Sequence, residues 1–274
     1  MKIAFLGGGN MATALIGGMV ECGFAPGGIC VVDLDEGARA RLRAKFDVRT
    51  LAAPDAGVFA SDVLLLAVKP QQMKAALAPF AGALCGALVI TIAAGLRLAD
   101  IARWLGGRAG PYTRLVRCMP NTPALIGAGI TGMYAAPAVD AAGRELAERI
   151  VSAVGNTVWV DDEARLDAVT GISGSGPAYV FHFIEALEAA ACAQGFDAES
   201  ARRLALDTVL GSARLAAASA DAPAVLREKV TSKGGTTAAA LAHLAARGWY
   251  DALIEAVEAA TARSRELGDQ FGTD

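Results

Sequence analysis

The sequence predicts an α/β domain with a mostly parallel, doubly wound sheet over residues 1–160, followed by an all-helical domain over residues 161–274. Short apolar runs alternate with helical patterns along the first part, as strands do with crossover helices. A glycine-rich turn lies between the first apolar run and the first helix. After Val160 the apolar runs stop, and helical periodicity dominates residues 164–267.

The elements of the first domain follow from where the apolar runs begin and end. Strands are predicted at residues 3–6, 29–33, 62–68, 87–93, 114–119, 130–134 and 157–160. The run after Asp62 is apolar without alternation, so we expect this strand to be buried on both faces. Helices are predicted at residues 11–20, 36–46, 71–80, 98–105 and 140–154.

The second domain has helices interrupted at Gly195 and Gly248, and also at residues 171–177, 222–223 and 232–235, which are rich in glycine, serine or proline. Residues 204–218 are apolar nearly all round, which predicts a buried helix. Because an alanine-rich helical domain of this size has a small core, we expect its helices to pack against a second copy in a homodimer. A self-sufficient helical bundle is the alternative.

Composition excludes several classes of function. Hydrophobic residues make up 54% of the chain and charged residues 19%, which predicts an ample core. The net charge is −3 and no run of Lys or Arg occurs, so no nucleic-acid partner is expected. The N-terminus lacks the pattern of a signal peptide, and no apolar stretch is long enough to span a bilayer, so we expect no membrane partner.

The cysteines predict a reducing compartment. The chain has five of them, none in a CxxC spacing and all in apolar settings: Cys22, Cys30, Cys85, Cys118 and Cys192. We therefore expect small core residues and a cytoplasmic location.

The turn after the first strand carries the dinucleotide-binding pattern of a Rossmann-like domain. Gly7 permits a tight turn, Gly9 lets a pyrophosphate approach the backbone, and Ala12 allows the helix to pack closely on the strand. The phosphates would rest on unpaired N–H groups at the start of the helix. A glycine turn without a ligand is the alternative. The candidate contacts are Leu6, Gly7, Gly8, Gly9, Asn10 and Met11.

Asp33 ends the second strand, where this fold places an acid on the adenine-ribose hydroxyls. Such a carboxylate would repel a 2′-phosphate, and Leu34 beside it offers no positive charge. Arg39 or Arg41 in the next helix could compensate. The cofactor is therefore predicted as NADPH or NADH, with a solvated strand-end carboxylate as the alternative role of Asp33.

Three further loops follow predicted strands, at the edge where ligands bind in such sheets. Lys69 could approach a phosphate or a ribose, and two prolines stiffen the segment around Asn121. Ordinary turns are the alternative. The candidate cofactor contacts in these loops are Ala67, Val68, Lys69 and Pro70, then Ala93, Ala94 and Gly95, and then Asn121.

Two clusters rich in Ser, Thr and Gly precede helices of the second domain. The first runs from Ser173 to Pro177, and simple helix capping is the alternative for it. The second includes Ser232, Gly234, Gly235, Thr236 and Thr237. Hydroxyls, two glycines and a helix N-terminus together predict a cradle for a carboxylate, since capping alone does not need both glycines.

Residue patterns that the sequence lacks argue against several kinds of catalysis. The two histidines, His182 and His243, lie within helical runs and are predicted to be ordinary helical residues. No pattern typical of a metal site or of a hydrolase occurs, so no metal is expected. A nucleotide-binding fold without an acid–base pair suits hydride transfer to an already polarised C=N bond.

The sequence resembles the Δ1-pyrroline-5-carboxylate reductase family over essentially its whole length. The resemblance is carried by residues 7–12, 67–71, 119–124, 172–179 and above all 230–237. The glycine motif is shared with many dehydrogenases. The combination of the Ser173 to Pro177 cluster with the segment Thr231 to Thr237 is specific to the family.

This resemblance implies NAD(P)H-dependent reduction of pyrroline-5-carboxylate to L-proline, the last step of proline biosynthesis. It implies that Thr237 hydrogen-bonds the ring nitrogen, while Ser173, Ser232 and Gly234 to Thr236 form the rest of the substrate site. It also implies a homodimer through the C-terminal helices, assembled further into a ring such as a decamer. The nicotinamide would come from the Rossmann-like domain of the other subunit.

Two positions depart from the pattern of the family. Three other functions are alternatives: a reductase of another small imine, a β-hydroxyacid dehydrogenase and a nucleotide sensor without turnover. Members that prefer NADPH often carry Asn-Arg or serines where this chain has Asp33-Leu34, and many have proline in place of Lys233. A β-hydroxyacid dehydrogenase would want a helical lysine in the second domain, but the only lysines after Lys74 are Lys229 and Lys233, at the glycine–threonine cluster. A nucleotide sensor without turnover would not need the substrate cradle.

Overall fold

The apolar runs of the first half form one eight-stranded sheet in the computed structural model, which describes residues 1–272. Its strands are β1 (Ile3–Leu6), β2 (Ile29–Val32), β3 (Arg49–Leu51), β4 (Val63–Leu66), β5 (Leu88–Thr91), β6 (Leu115–Met119), β7 (Gly129–Ala135) and β8 (Gly155–Trp159). Their order in the sheet is β3-β2-β1-β4-β5-β6-β7-β8. All neighbours are parallel except β6 and β7, which confirms the mostly parallel sheet.

Helices connect these strands and cover both faces of the sheet. They are α1 (Asn10–Glu21), α2 (Glu36–Phe46), α3 (Ala56–Phe59), α4 (Pro70–Leu77), α5 (Leu98–Leu105), α6 (Ala141–Val151) and α7 (Arg165–Val169). One core lies around Phe5 and Leu15 of β1 and α1, and the other lies around Leu64 and Phe80. The strand β4 is buried throughout, as its continuous apolar run predicts.

The connection order creates the crevice that a doubly wound fold uses for ligands. Strand β1 pairs with β2 on one side, at Ile3 with Ile29, and with β4 on the other, at Ile3 with Val63. The chain therefore adds β2 and β3 on one side of β1 and then crosses over to add β4 on the other side. Ligands bind outside the carboxyl ends of the strands at such a switch point.

Local sequence explains the sharpest helix boundaries. Asp35 caps α2, because its carboxylate accepts the N–H of Gly37 at 2.9 Å. The helix ends at Asp47, which adopts a left-handed conformation with φ of 53°. Acidic Glu36 in the first turn and Arg43 in the last turn favour the helix dipole. The bounds of α2 are those predicted from the sequence.

Helices alone form the rest of the described chain, as predicted. They are α8 (Gly176–Ala193), α9 (Ala198–Ala218), α10 (Pro223–Lys229), α11 (Thr236–Ala246) and α12 (Trp249–Gly272). Contacts group Met1–Ser175 with the chain from Ala259 onward as one compact unit, and Gly176–Glu258 as the other. The predicted domain division after residue 160 follows the end of β8 and stays a prediction; residues 273–274 of the predicted second domain lie outside the described residues.

Two expectations about burial are wrong for the single chain. The segment 204–218 lies in α9, where Leu204, Leu210 and Leu215 are 48%, 49% and 60% exposed. Of the cysteines, only Cys118 is buried, whereas Cys22, Cys85 and Cys192 are exposed. Sequence pattern reports the apolar character of a helix face but not which surface covers it, and an isolated cysteine carries little positional signal.

Candidate functional site

The glycine turn is held between the ends of β2 and β4. The N–H of Gly7 donates to the carbonyl of Val32 at 2.8 Å. Gly7 has a φ of +101°, and a Cβ at this position would lie 2.7 Å from the carbonyl oxygen of Ala67. Glycine is therefore required here for conformation and for space.

The start of α1 is open to an anion. Its N-cap is Gly9, which offers no side-chain cap to the N–H groups of the first turn. Gly9 and Asn10 are exposed, and a Cβ on Gly9 would meet no atom within 4 Å. The free space and the unpaired backbone donors fit a pyrophosphate, because anions bind at helix N-termini.

Asp33 links the end of β2 to the glycine turn. Its Oδ2 accepts the N–H of Gly8 at 2.6 Å, and its Oδ1 accepts the N–H of Asp35 at 2.8 Å. The carboxylate is half-buried, while the neighbouring Leu34 is 90% exposed. Asp33 therefore fixes the loop and also leaves negative charge at the predicted ribose position.

Arg39 lies beside Asp33, but protein acceptors occupy its guanidinium. Its Nη1 donates to the carbonyls of Asp33 at 2.6 Å and Leu34 at 2.9 Å, and its Nη2 pairs with Glu36. These contacts direct the cation toward the backbone and an acid. Arg41 is exposed and lies further along the same helix.

The loops after β4 and β5 lie at the same carboxyl edge of the sheet. The N–H of Ala67 donates to the carbonyl of Leu6 at 2.8 Å, which places the Ala67–Val68 segment beside the glycine turn. Lys69 is the exposed N-cap of α4, and Pro70 occupies the first turn. The loop after β5 contains Ala93, Ala94 and Gly95, and a Cβ on Gly95 would lie 3.2 Å from Leu267 Cβ.

The side chain of Asn121, predicted as a cofactor contact, is hydrogen-bonded to other residues of the protein. It is only 8% exposed. Its Oδ1 accepts the N–H of Ile130 at 3.0 Å, and its Nδ2 donates to the carbonyl of Ser173 at 3.1 Å. Ser173 in turn donates its hydroxyl to the carbonyl of Val169 at 3.0 Å. The structure thus brings together one residue predicted for the cofactor and one predicted for the substrate.

The predicted carboxylate cradle forms the start of α11 in the second unit. Gly234 has a φ of +73°, and a Cβ on Gly235 would lie 2.4 Å from Ser232 Oγ. Glycine is therefore favoured at position 234 by the backbone conformation and at position 235 by the lack of space for a side chain. Gly235 is the N-cap without a side-chain cap, so the first-turn N–H groups at Thr236 and Thr237 lack a side-chain acceptor from the cap.

A buried charged network around Arg117 was not predicted from the sequence. Arg117 is 5% exposed, and its Nη1 lies 2.9 Å from Glu163 Oε1 and its Nη2 lies 3.9 Å from Asp167 Oδ1. Glu163 also accepts the N–H of Leu98 at 2.8 Å, and Ser264 donates to Asp167 at 2.7 Å. An arginine within an otherwise apolar strand was the available signal, because a buried charge requires a partner.

Both histidines are exposed helical residues, and His182 Nδ1 lies 3.2 Å from Glu185 Oε2. Among residues 1–272, no cluster of three or more His, Cys, Asp or Glu is arranged for a metal ion. The same residues include no helix with the length and hydropathy needed to cross a membrane.

Two family models match different parts of the chain. The model described as pyrroline-5-carboxylate reductase dimerisation matches residues 163–267. The model described as NADP oxidoreductase, coenzyme F420-dependent, matches residues 2–95. The helical half and the glycine turn are thus matched separately.

Relatives match the chain over nearly its full length. A pyrroline-5-carboxylate reductase of Pseudomonas aeruginosa is 45% identical over 273 residues, which cover 99% of this chain and 98% of the relative. The reductase of Synechocystis sp. is 43% identical, with 98% of each chain covered.

Solved structures of pyrroline-5-carboxylate reductases are similar to this chain over nearly its full length. A pyrroline-5-carboxylate reductase from Coxiella burnetii has a TM-score of 0.90 at 39% identity and covers 97% of this chain and 98% of its own. The NADP-bound pyrroline carboxylate reductase of Plasmodium falciparum has a TM-score of 0.84 at 27% identity, with 98% of each chain covered.

Proposed function

The chain belongs to the pyrroline-5-carboxylate reductase family, and on that premise we propose that it reduces Δ1-pyrroline-5-carboxylate to L-proline with NAD(P)H. This reaction is the last step of proline biosynthesis. The observation that carries the proposal is the cradle Ser232 to Thr237, whose two glycines expose the start of α11. The open start of α1 supplies the matching site for the dinucleotide phosphates.

The residues of this chain act by holding and orienting the reactants. Bound NAD(P)H supplies the hydride that is added to the imine carbon, and the ring nitrogen ends as an amine. We assign the substrate carboxylate to the backbone N–H groups of Thr236 and Thr237, with Ser173, Ser232, Gly234 and Gly235 completing the site. The N–H of Gly235 itself donates to the carbonyl of Ser232 at 3.0 Å. Fixed orientation of this kind can contribute roughly 7–11 kcal/mol to lowering the barrier.

Thr237 is proposed to hydrogen-bond the imine nitrogen. It lies in the first turn of α11 and is half-buried. A threonine hydroxyl is a poor acid at neutral pH, so we assign it an orienting role toward an already protonated imine rather than proton donation.

We propose that the active enzyme is a homodimer through its C-terminal helices, assembled further into a ring such as a decamer. The family model for these residues describes dimerisation, which supports a homo-oligomer. Exposed Leu204 and Leu215, at 48% and 60%, lie about three turns apart on the same side of α9 and supply an apolar face for a second copy. In this assembly the nicotinamide would come from the Rossmann-like domain of the other subunit. A reducing cytoplasm is proposed as the location, since all five cysteines are free thiols.

We propose weak discrimination between the two nucleotides, or a preference for NADH. The carboxylate of Asp33 faces the glycine turn, and backbone carbonyls together with Glu36 occupy the guanidinium of Arg39. A 2′-phosphate would thus meet a negative charge, and Arg39 is already paired. The cation left nearby is exposed Arg41, whose Nη1 would lie 3.6 Å from a Cβ on Gly37. Comparing kcat/KM for NADPH and NADH tests this, and a large NADPH preference would overturn it.

The activity test measures the loss of reduced-nicotinamide absorbance with pyrroline-5-carboxylate. We expect turnover by the wild type, and a strongly reduced kcat/KM for Thr237→Ala with partial recovery in Thr237→Ser. Oxidation of NAD(P)H with another imine but not with pyrroline-5-carboxylate would reassign the substrate. Unchanged kcat and KM in Thr237→Ala would remove Thr237 from the site.

A further inference from the structure

We propose that Asn121 is a positioning residue for the reduction: its carboxamide replaces a backbone donor that Pro177 lacks, and so holds the turn that carries Ser173. The proposal rests on the proposed function, because it concerns the same site. It replaces the expectation that Asn121 contacts the cofactor.

The need for this side chain arises from the local sequence. In an α-helix, each carbonyl accepts the N–H of the residue four positions later. For Ser173 that residue is Pro177, which has no N–H. The carbonyl of Ser173 instead accepts Nδ2 of Asn121 at 3.1 Å. A side chain 52 residues earlier thus satisfies an acceptor whose α-helical donor is missing.

The turn that is held has an unusual backbone. Residues Thr170–Gly174 form a π-helical turn, closed by the N–H of Ser175 on the carbonyl of Thr170 at 2.8 Å. Such turns are rare and frequently lie at functional sites. This one joins α7 to the beginning of α8, so its shape decides where Ser173 lies relative to the sheet.

The other end of the carboxamide is equally constrained. Oδ1 of Asn121 accepts the N–H of Ile130 in β7 at 3.0 Å, and the residue is 8% exposed. Hydrogen bonds at both ends fix the plane of the amide. Two of its hydrogen-bonding positions are therefore used inside the protein, which favours positioning over direct recognition of a ligand.

Close packing makes the turn and the sheet edge move together. A Cβ on Gly174 would lie 2.7 Å from Met119 Cε, and a Cβ on Gly132 would lie 2.6 Å from Val169 Cγ1. Met119 ends β6 at the carboxyl edge, where the cofactor loops also lie. Loss of the Asn121 bond is expected to shift Ser173 with respect to that edge.

The test is a double-mutant cycle with Asn121→Ala, Pro177→Ala and the double variant. An alanine at 177 restores the missing N–H, so the double variant should recover much of what Asn121→Ala loses. We expect Asn121→Ala to lower kcat/KM for pyrroline-5-carboxylate by roughly ten- to a hundredfold, given the sensitivity of oriented reactions to displacements of about 1 Å. The KM for the nucleotide should change little. Asn156→Ala, at an exposed asparagine of β8, is the matched control.

Each outcome decides the proposal. Multiplicative losses in the double variant, or a raised nucleotide KM as the only effect of Asn121→Ala, would overturn it. The same cycle in urea unfolding reports the hydrogen bond without requiring turnover. Coupling in unfolding with unchanged kinetics would make Asn121 merely structural. If the wild type does not turn over pyrroline-5-carboxylate, the proposed function fails, whereas the unfolding cycle still decides whether Asn121 replaces the Pro177 donor.

Discussion

Gly9→Ala should weaken cofactor binding while leaving the fold nearly intact. A Cβ on Gly9 would meet no atom of the protein within 4 Å, so the substitution has no steric cost in the free chain. Gly9 is the N-cap of α1, where alanine is less favourable than glycine, and this costs about 1 kcal/mol or less. Any larger effect must come from what binds there.

The expected loss of affinity follows from the predicted position of the pyrophosphate. The added methyl group would occupy space that the phosphates need in order to reach the first-turn N–H groups of α1. We expect the Kd for NADPH and for NADH to rise roughly 10- to 100-fold, which corresponds to about 1.4–2.7 kcal/mol. Titration calorimetry gives the affinity, and urea unfolding gives the stability of the same protein.

Gly7→Ala is the matched control from the same turn. Its φ of +101° costs an alanine about 1–3 kcal/mol. The 2.7 Å approach to Ala67 O adds to this cost, so this variant should lose stability first. An unchanged nucleotide Kd in Gly9→Ala would refute the placement of the phosphates. A loss of stability in Gly9→Ala as large as that in Gly7→Ala would show that both glycines serve the fold.

Three other properties can be measured directly. The Thr157 hydroxyl, bonded to Glu148, holds the pKa of that carboxyl below its ordinary value. The resulting stabilisation is complete above the ordinary pKa of about 4.3 and is lost as the pH falls through the folded value; urea unfolding of Glu148→Gln should therefore depend less on acid pH. Burial raises the pKa of the Cys118 thiol, so a thiol reagent should label exposed Cys22 rapidly and Cys118 only on unfolding; equal rates would contradict this. Arg117→Met should lower the free energy of unfolding by about 3–5 kcal/mol, because buried Asp167 and partly buried Glu163 lose their countercharge, and an unchanged urea midpoint would contradict that.

Local pattern was sufficient where one segment carries the whole signal. The strand β1 and the bounds of α2 agree with the sequence prediction, because apolar runs, the Asp35 cap and the end at Asp47 act within a few residues. The strand β3 was missed. Its three residues, Arg49 to Leu51, contain no apolar run and become a strand through pairing with β2.

The sequence by itself determined the fold class, the glycine turn and the two glycines of the cradle, since backbone conformation and helix starts depend on neighbouring residues. Only the tertiary structure decided which residues Asn121 and Arg117 contact. Their hydrogen-bonding partners, Ser173 and Glu163, lie 52 and 46 residues away along the chain. A polar side chain in a buried strand or loop must find a partner, but the sequence pattern does not say which residue the fold will bring to it.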